Sequence, residues 1–195
     1  RSRMATLTLI THAHTQVDPA TDAVTWRLSA AGEAQATALA GQPFWATVDR
    51  ILVSSEAKTR LTVAPVLAQR SLPIMADARF DEATRPGWCD DYAARVAAFF
   101  AEPGRSAGGW EPAHAALARF LHGLNAHIDP KAGEHVALVA HGLVLSLYRA
   151  HLLGLTTAPF EAWRRLEFAA VAHVDLAGPA FTQDFAPVAP SPPRA

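Results

Sequence analysis

Two histidines stand where chemistry is most readily built. His12 lies one threonine beyond the β-prone segment Thr6-Leu7-Thr8-Leu9-Ile10, and His141 directly follows Val136-Ala137-Leu138-Val139-Ala140. Both runs read as buried strands. Neighbouring strands of a parallel sheet release the residues after them at one carboxyl edge, so the two imidazoles can meet across a single pocket. Open α/β sheets bind their ligands at that edge. His14 offers a different chemistry, because residues i and i+2 of an extended segment share a face and His12 and His14 can chelate zinc together.

The elements needed to position these residues follow from periodicity and caps. After the first strand comes a loop through Asp18-Pro19 and Trp26, then a helix over Ala30–Ala40, capped by Ser29 and ended by Gly41. Ile51-Leu52-Val53 reads as a second strand closed by Ser54-Ser55, and Glu56 to Gln69 as a helix with Val63, Val66 and Leu67 inward. Pro73-Ile74-Met75 reads as an edge strand, and Asp77 to Asp91, with Pro86 and Gly87, as a long loop of functional character. Helices are expected over Tyr92–Phe100 and Glu111–Ile128 as a cover. A further helix opens at His141-Gly142 and runs to Leu153, and Leu166–Leu176 supplies one or two closing strands. Strands alternating with helices of this length imply an α/β fold with a mainly parallel sheet covered on both faces. One domain over residues 4–185 is expected, followed by a disordered proline-rich tail over 186–195. Met4 is expected to mark the natural start, with Arg1-Ser2-Arg3 an expression remnant.

Composition removes several function classes. The 17 basic and 18 acidic residues leave a net charge of −1, too little positive field for nucleic acid or an anionic membrane surface, so any anion site must be local. The single cysteine, Cys89, forms no internal disulfide framework and no zinc spacing, which favours a reducing compartment. With no apolar run of spanning length, the chain is expected to be cytoplasmic.

Leu9-Ile10-Thr11-His12-Ala13-His14-Thr15 resembles the opening Arg-His-Gly-x-Thr signature of the histidine phosphatase superfamily, in its phosphoglycerate mutase-like branch. Other segments resemble that family in order. Leu28 to Ala36 is similar to its leucine-threonine-x-x-glycine helix, Val53-Ser54-Ser55-Glu56-Ala57-Lys58-Thr59-Arg60 to its serine-rich turn with a basic phosphate ligand, and Val139-Ala140-His141-Gly142 to its second histidine motif. The resemblance spans roughly residues 5 to 176 and implies a three-layer sandwich. It implies that His12 attacks phosphorus and carries a phosphohistidine, while Thr11, Thr15, Lys58, His141 and Gly142 hold the phosphate. Glu82 is the implied general acid, with Asp81 and Glu111 as rivals. The implied reaction is hydrolysis of a small phosphorylated metabolite by a monomer or homodimer, with no metal and no organic cofactor.

One departure stands out. The family's arginine before the nucleophile is Thr11 here, a loss of a charge-assisted contact of about 2–4 kcal/mol at the transition state. The expectation is a slow phosphatase in which Arg27, Arg60 or Arg85 replaces the missing cation, or a binding protein for phosphorylated ligands or inorganic phosphate that keeps the fold. The zinc hydrolase reading through His12 and His14 ranks below both, because 195 residues are short for a (β/α)8 barrel and no further His/Asp set follows. The loop over 79–91 and the helices that follow are expected to form a lid; of Trp88, Tyr92, Phe99, Phe100 and Trp110 most are expected in the core, and two at the mouth would favour a ligand with an apolar body.

Overall fold

The computed structural model describes residues 3–192. Six strands form one sheet: β1 (Thr6–Thr11), β2 (Arg50–Val53), β3 (Ile74–Ala76), β4 (His135–Ala140), β5 (Ala170–Asp175) and β6 (Ala180–Pro187), in the order β3-β2-β4-β1-β5-β6. The first four strands are parallel, and β5 and β6 add antiparallel at one edge. The fold is therefore α/β with a mainly parallel sheet, as the alternation of elements requires.

Side chains alternate between the two faces with the period of a strand. Leu7, Leu9, Leu52, Val136, Leu138, Ala172 and Val174 pack on one side under α3 (Tyr92–Ala101), α4 (Ala113–His127), α5 (Gly142–Leu152) and α6 (Phe160–Arg165). Ile10, Ile51, Val53, Ala137, Val139 and Val171 face α1 (Ala30–Ala40) and α2 (Ala57–Gln69) on the other. Because β4 is covered on both faces, all six of its residues are buried, which explains its unbroken apolar sequence. Among the described residues no helix is long and apolar enough to cross a membrane.

The α1 reading holds to the residue: Ser29 Oγ accepts the Gly32 N–H and Gly41 ends the helix. Elsewhere the boundaries differ for physical reasons. α4 begins after Pro112, whose ring suits a helix start, rather than at Glu111. α6 and β6 have no counterpart in the sequence reading, since six residues are too few for a periodic signal and β6 is exposed at most of its positions, with no buried face to set a period of two.

The disordered tail also needs correction. Ala186 and Pro187 complete β6 opposite Val171 and Ala170, and Val188 N–H donates to Ala169 O. Further on, Gln35 Nε2 donates to Pro190 O and Ser191 Oγ. The free edge of β5 supplies ladder partners that composition alone does not reveal, and proline is tolerated because β6 is the outermost strand. Residues 193–195 lie outside the described residues.

Candidate active site

β1 and β4 are adjacent and parallel with Thr11 beside Ala140, so the next residues, His12 and His141, leave the sheet together. Their ring centroids lie 5.3 Å apart, and the His12 N–H still donates to Ala140 O at 3.0 Å. His12 Nδ1 is 2.8 Å from Ala13 O. A carbonyl only accepts, so Nδ1 carries the hydrogen and Nε2 presents its lone pair. Burial, helped by the nearby His141 and Lys58, holds His12 well below the ordinary histidine range and therefore neutral. Behind the ring, Phe168 packs at 5.6 Å and Ala169, at φ 49, donates its N–H to the His12 carbonyl.

His141 is fully buried, with Nε2 2.8 Å from Ser54 Oγ and 3.6 Å from Glu56 Oε1. Burial pushes its pKa well down, and Lys58 and Arg85 add to the shift. Gly142 opens α5 just behind it. Lys58, on the first turn of α2, is 3% exposed; its Nζ sits 2.9 Å from Glu56 Oε2 and 5.6 Å above the Trp26 ring.

Glu82 enters from the long loop. Its Oε2 accepts the Leu143 N–H at 3.0 Å, and Oε1 accepts those of Val144 and Ala83 at 3.1 and 3.0 Å. The carboxyl thus rests on the open N–H groups at the start of α5. Burial raises its pKa against the opposing pull of Arg85 and these N–H groups. The loop is clamped by Arg119, which donates to the carbonyls of Arg79 and Asp81 at 2.9 and 3.0 Å and pairs with Glu111 at 2.8 Å.

Those contacts separate the rival acids. Glu111 belongs to the Arg119 clamp: burial alone would raise its pKa, but Arg119 and the Thr84 N–H bring it below the ordinary range. Asp81 accepts the Ser55 N–H and hydroxyl at 2.7 and 2.6 Å and ties the loop to the start of α2. Glu82 alone of the three reaches the His141 segment.

The basic candidates divide as sharply. The Arg85 guanidinium lies 5.2 Å from the Tyr92 ring centre and 5.8 Å from that of Trp110, and its charge acts on both Glu82 and His141. Arg60 is exposed on α2, and Arg27 is exposed beside Leu28, Glu33 and Leu61 in a groove between α1 and α2. Thr11 donates its hydroxyl to Glu167 O at 2.7 Å and accepts the Ala170 N–H at 2.8 Å, so its one donor is committed to the sheet edge. Thr15 is buried in an isolated bridge with Leu28.

His14 turns toward α1, with Nδ1 2.7 Å from Ser29 Oγ and its N–H donating to Gln35 Oε1. Among the described residues no three His, Cys, Asp or Glu side chains converge to hold a metal. Of the aromatics in and after the long loop, Phe99, Phe100 and Trp110 are buried in the core, as expected of most of them, and Trp88 is half-exposed; Trp26 packs on Lys58 and Phe168 on His12. Glu56, Ser54 and Arg119 are the residues that sequence reasoning missed. Glu56 carries no local signal because it precedes α2 and meets Lys58 only through its extended backbone.

A family model described as "Histidine phosphatase superfamily (branch 1)" matches residues 7–183. A search of curated proteins finds no significant match. Among solved structures, YhfR of Bacillus stearothermophilus superposes with a TM-score of 0.73 at 20% identity, over 93% of this chain and 96% of that one. A mycobacterial glucosyl-3-phosphoglycerate phosphatase complexed with VO3 gives 0.71 at 21% identity, over 92% and 97%. A putative alpha-ribazole-5'-P phosphatase from Escherichia coli gives 0.69 at 22% identity, over 95% and 97%. At such identities the likeness establishes the fold.

Proposed function

Because the chain belongs to the histidine phosphatase superfamily, branch 1, we propose that it hydrolyses small phosphomonoesters through a phosphohistidine at His12. The observation that carries this reading is the His12 ring itself, kept neutral with Nδ1 hydrogen-bonded to Ala13 O and Nε2 free. In the first step the Nε2 lone pair forms an N–P bond, the P–O ester bond breaks, and the leaving alkoxide takes a proton from Glu82. In the second, water attacks phosphorus, its proton passes to Glu82, and the N–P bond breaks to release inorganic phosphate. One ester and one water become one alcohol and one phosphate. Lys58 and Arg85 neutralise the phosphoryl oxygens as charge shifts, and the neutral His141 ring contributes a hydrogen bond to them.

Arg85 takes the place of the arginine absent at position 11. Its guanidinium is held over two aromatic rings and, among the described residues, forms no ion pair. Trp26, Phe168 and Tyr92 line the approach, which favours a monoester with an apolar body. The chemistry draws on no metal and no organic cofactor, and we assign it to the cytoplasm, where Cys89 stays reduced.

A second reading, a phospho-ligand-binding protein without turnover, draws on Thr11, whose hydroxyl is committed, and on Lys58, whose charge is matched by Glu56. Hydrolysis of an aryl phosphate across pH 5–8, comparing the parent with His12→Ala, separates the two. Activity confined to the parent, with an acid-labile phosphoryl group trapped on it, is the expected result. A parent that binds orthovanadate but hydrolyses nothing across a wider phosphoester panel would establish the second reading instead.

A further inference from the structure

We propose that Glu56 is a positioning residue of this site, holding the Lys58 ammonium and the Glu82 loop against the phosphoryl position; the inference rests on the phosphomonoesterase reading above. Glu56 precedes α2 in an extended conformation and makes no side-chain cap, so its carboxylate is free to turn inward. It is 5% exposed and touches Lys58, the Glu82 backbone and His141. Oε2 meets Lys58 Nζ at 2.9 Å, Oε1 accepts the Glu82 N–H at 3.0 Å, and Oε1 stands 3.6 Å from His141 Nε2.

Stability does not account for such a pair. Buried ion pairs are often replaceable by apolar side chains without loss, so a buried Lys58–Glu56 pair beside two neutral imidazoles is better explained by what the ammonium does there. A lysine stem has many rotamers and its ammonium is a point charge. Glu56 on one side and the Trp26 ring on the other restrict it to one position. The same carboxylate, through the Glu82 N–H, fixes the start of the segment that delivers the acid.

This arrangement predicts a particular dependence between the two residues. With Lys58 removed, Glu56 becomes a buried, unpaired anion next to the incoming phosphoryl group and repels it. Removal of Glu56 as well relieves the repulsion. The test uses the full chain with Glu56→Gln, Lys58→Met and the double variant, reading kcat and KM on an aryl phosphate, orthovanadate affinity by calorimetry, and the melting temperature. We expect Glu56→Gln to lower kcat about 10- to 100-fold and Lys58→Met about 1000-fold, with the double variant more active than Lys58→Met alone. Vanadate affinity should follow the same order.

Independent, multiplicative effects, or an effect confined to melting temperature, would overturn the proposal while leaving the phosphatase reading intact. Tighter vanadate binding by Glu56→Gln would also overturn it, identifying Glu56 as a competitor for Lys58. A parent that neither hydrolyses the ester nor binds vanadate removes both readings.

Discussion

Replacing Gly32 by alanine sets two physical effects of opposite sign against each other. Gly32 lies in the first turn of α1, where alanine ordinarily gains about 1 kcal/mol over glycine. An added Cβ, however, would stand 1.9 Å from His14 O and 2.9 Å from His14 C, and both are backbone atoms. The His14 carbonyl already accepts the Ser29 N–H at 3.0 Å, so it cannot swing aside and keep that bond. Reaching ordinary contact, 3.4 Å or more, means opening the gap by about 1.5 Å. Overpacking costs about 1–3 kcal/mol and the strained hydrogen bond about 1 kcal/mol more. Subtracting the propensity gain leaves the variant about 2 kcal/mol less stable. His14 is two residues past the proposed nucleophile, and a displacement of about 1 Å at a reacting group costs on the order of 100-fold in rate. Urea unfolding should show a lower midpoint at unchanged slope, and aryl phosphate kinetics a kcat/KM down by about that factor. A variant as stable as the parent, with kcat/KM within about twofold, would refute the reasoning.

Removing the loop clamp with Arg119→Ala strips Glu111 of its partner and frees the carbonyls of Arg79 and Asp81; we expect a loss of about 2 kcal/mol and a kcat about tenfold lower, with new protease cleavage between 79 and 91 on a gel. Stability should also fall with acid. Burial and His173 hold His135, bonded to Thr8 and Thr47, down to about 4, so between pH 6.5 and 4 the unfolded chain binds the extra proton and folding weakens as pH falls. His135→Gln should flatten that part of the stability profile, and an unchanged slope in calorimetry would count against the assignment. Because His12 titrates below its ordinary range, the acid limb of kcat/KM should lie below pH 6.5; a limb at or above that value would exclude it as the neutral nucleophile.

Much of the fold is local information. The unbroken apolar run of β4, the Ser29 and Gly41 caps of α1 and the two strand-end histidines are legible because burial, capping and sheet polarity act over a few residues. Order of motifs then places His12 and His141 at one edge. What the sequence could not decide is which polar side chains meet there, because those contacts join segments far apart in the chain. Thr11 faces Glu167 and Ala170 across 156 and 159 residues. Glu82 reaches the α5 start across 61. Arg85 and Arg60 are equally basic in one dimension, yet one packs against two aromatic rings and the other lies in solvent. The ordering of residues 186–192 has the same cause, since a strand edge and a glutamine on α1 supply partners absent from the tail itself. The sequence by itself determined the mainly parallel character of the sheet and the strand-end positions of two imidazoles, since hydrophobic periodicity is a local code. Only the tertiary structure decided which acid and which cations face them, since hydrogen bonds and charges act through space.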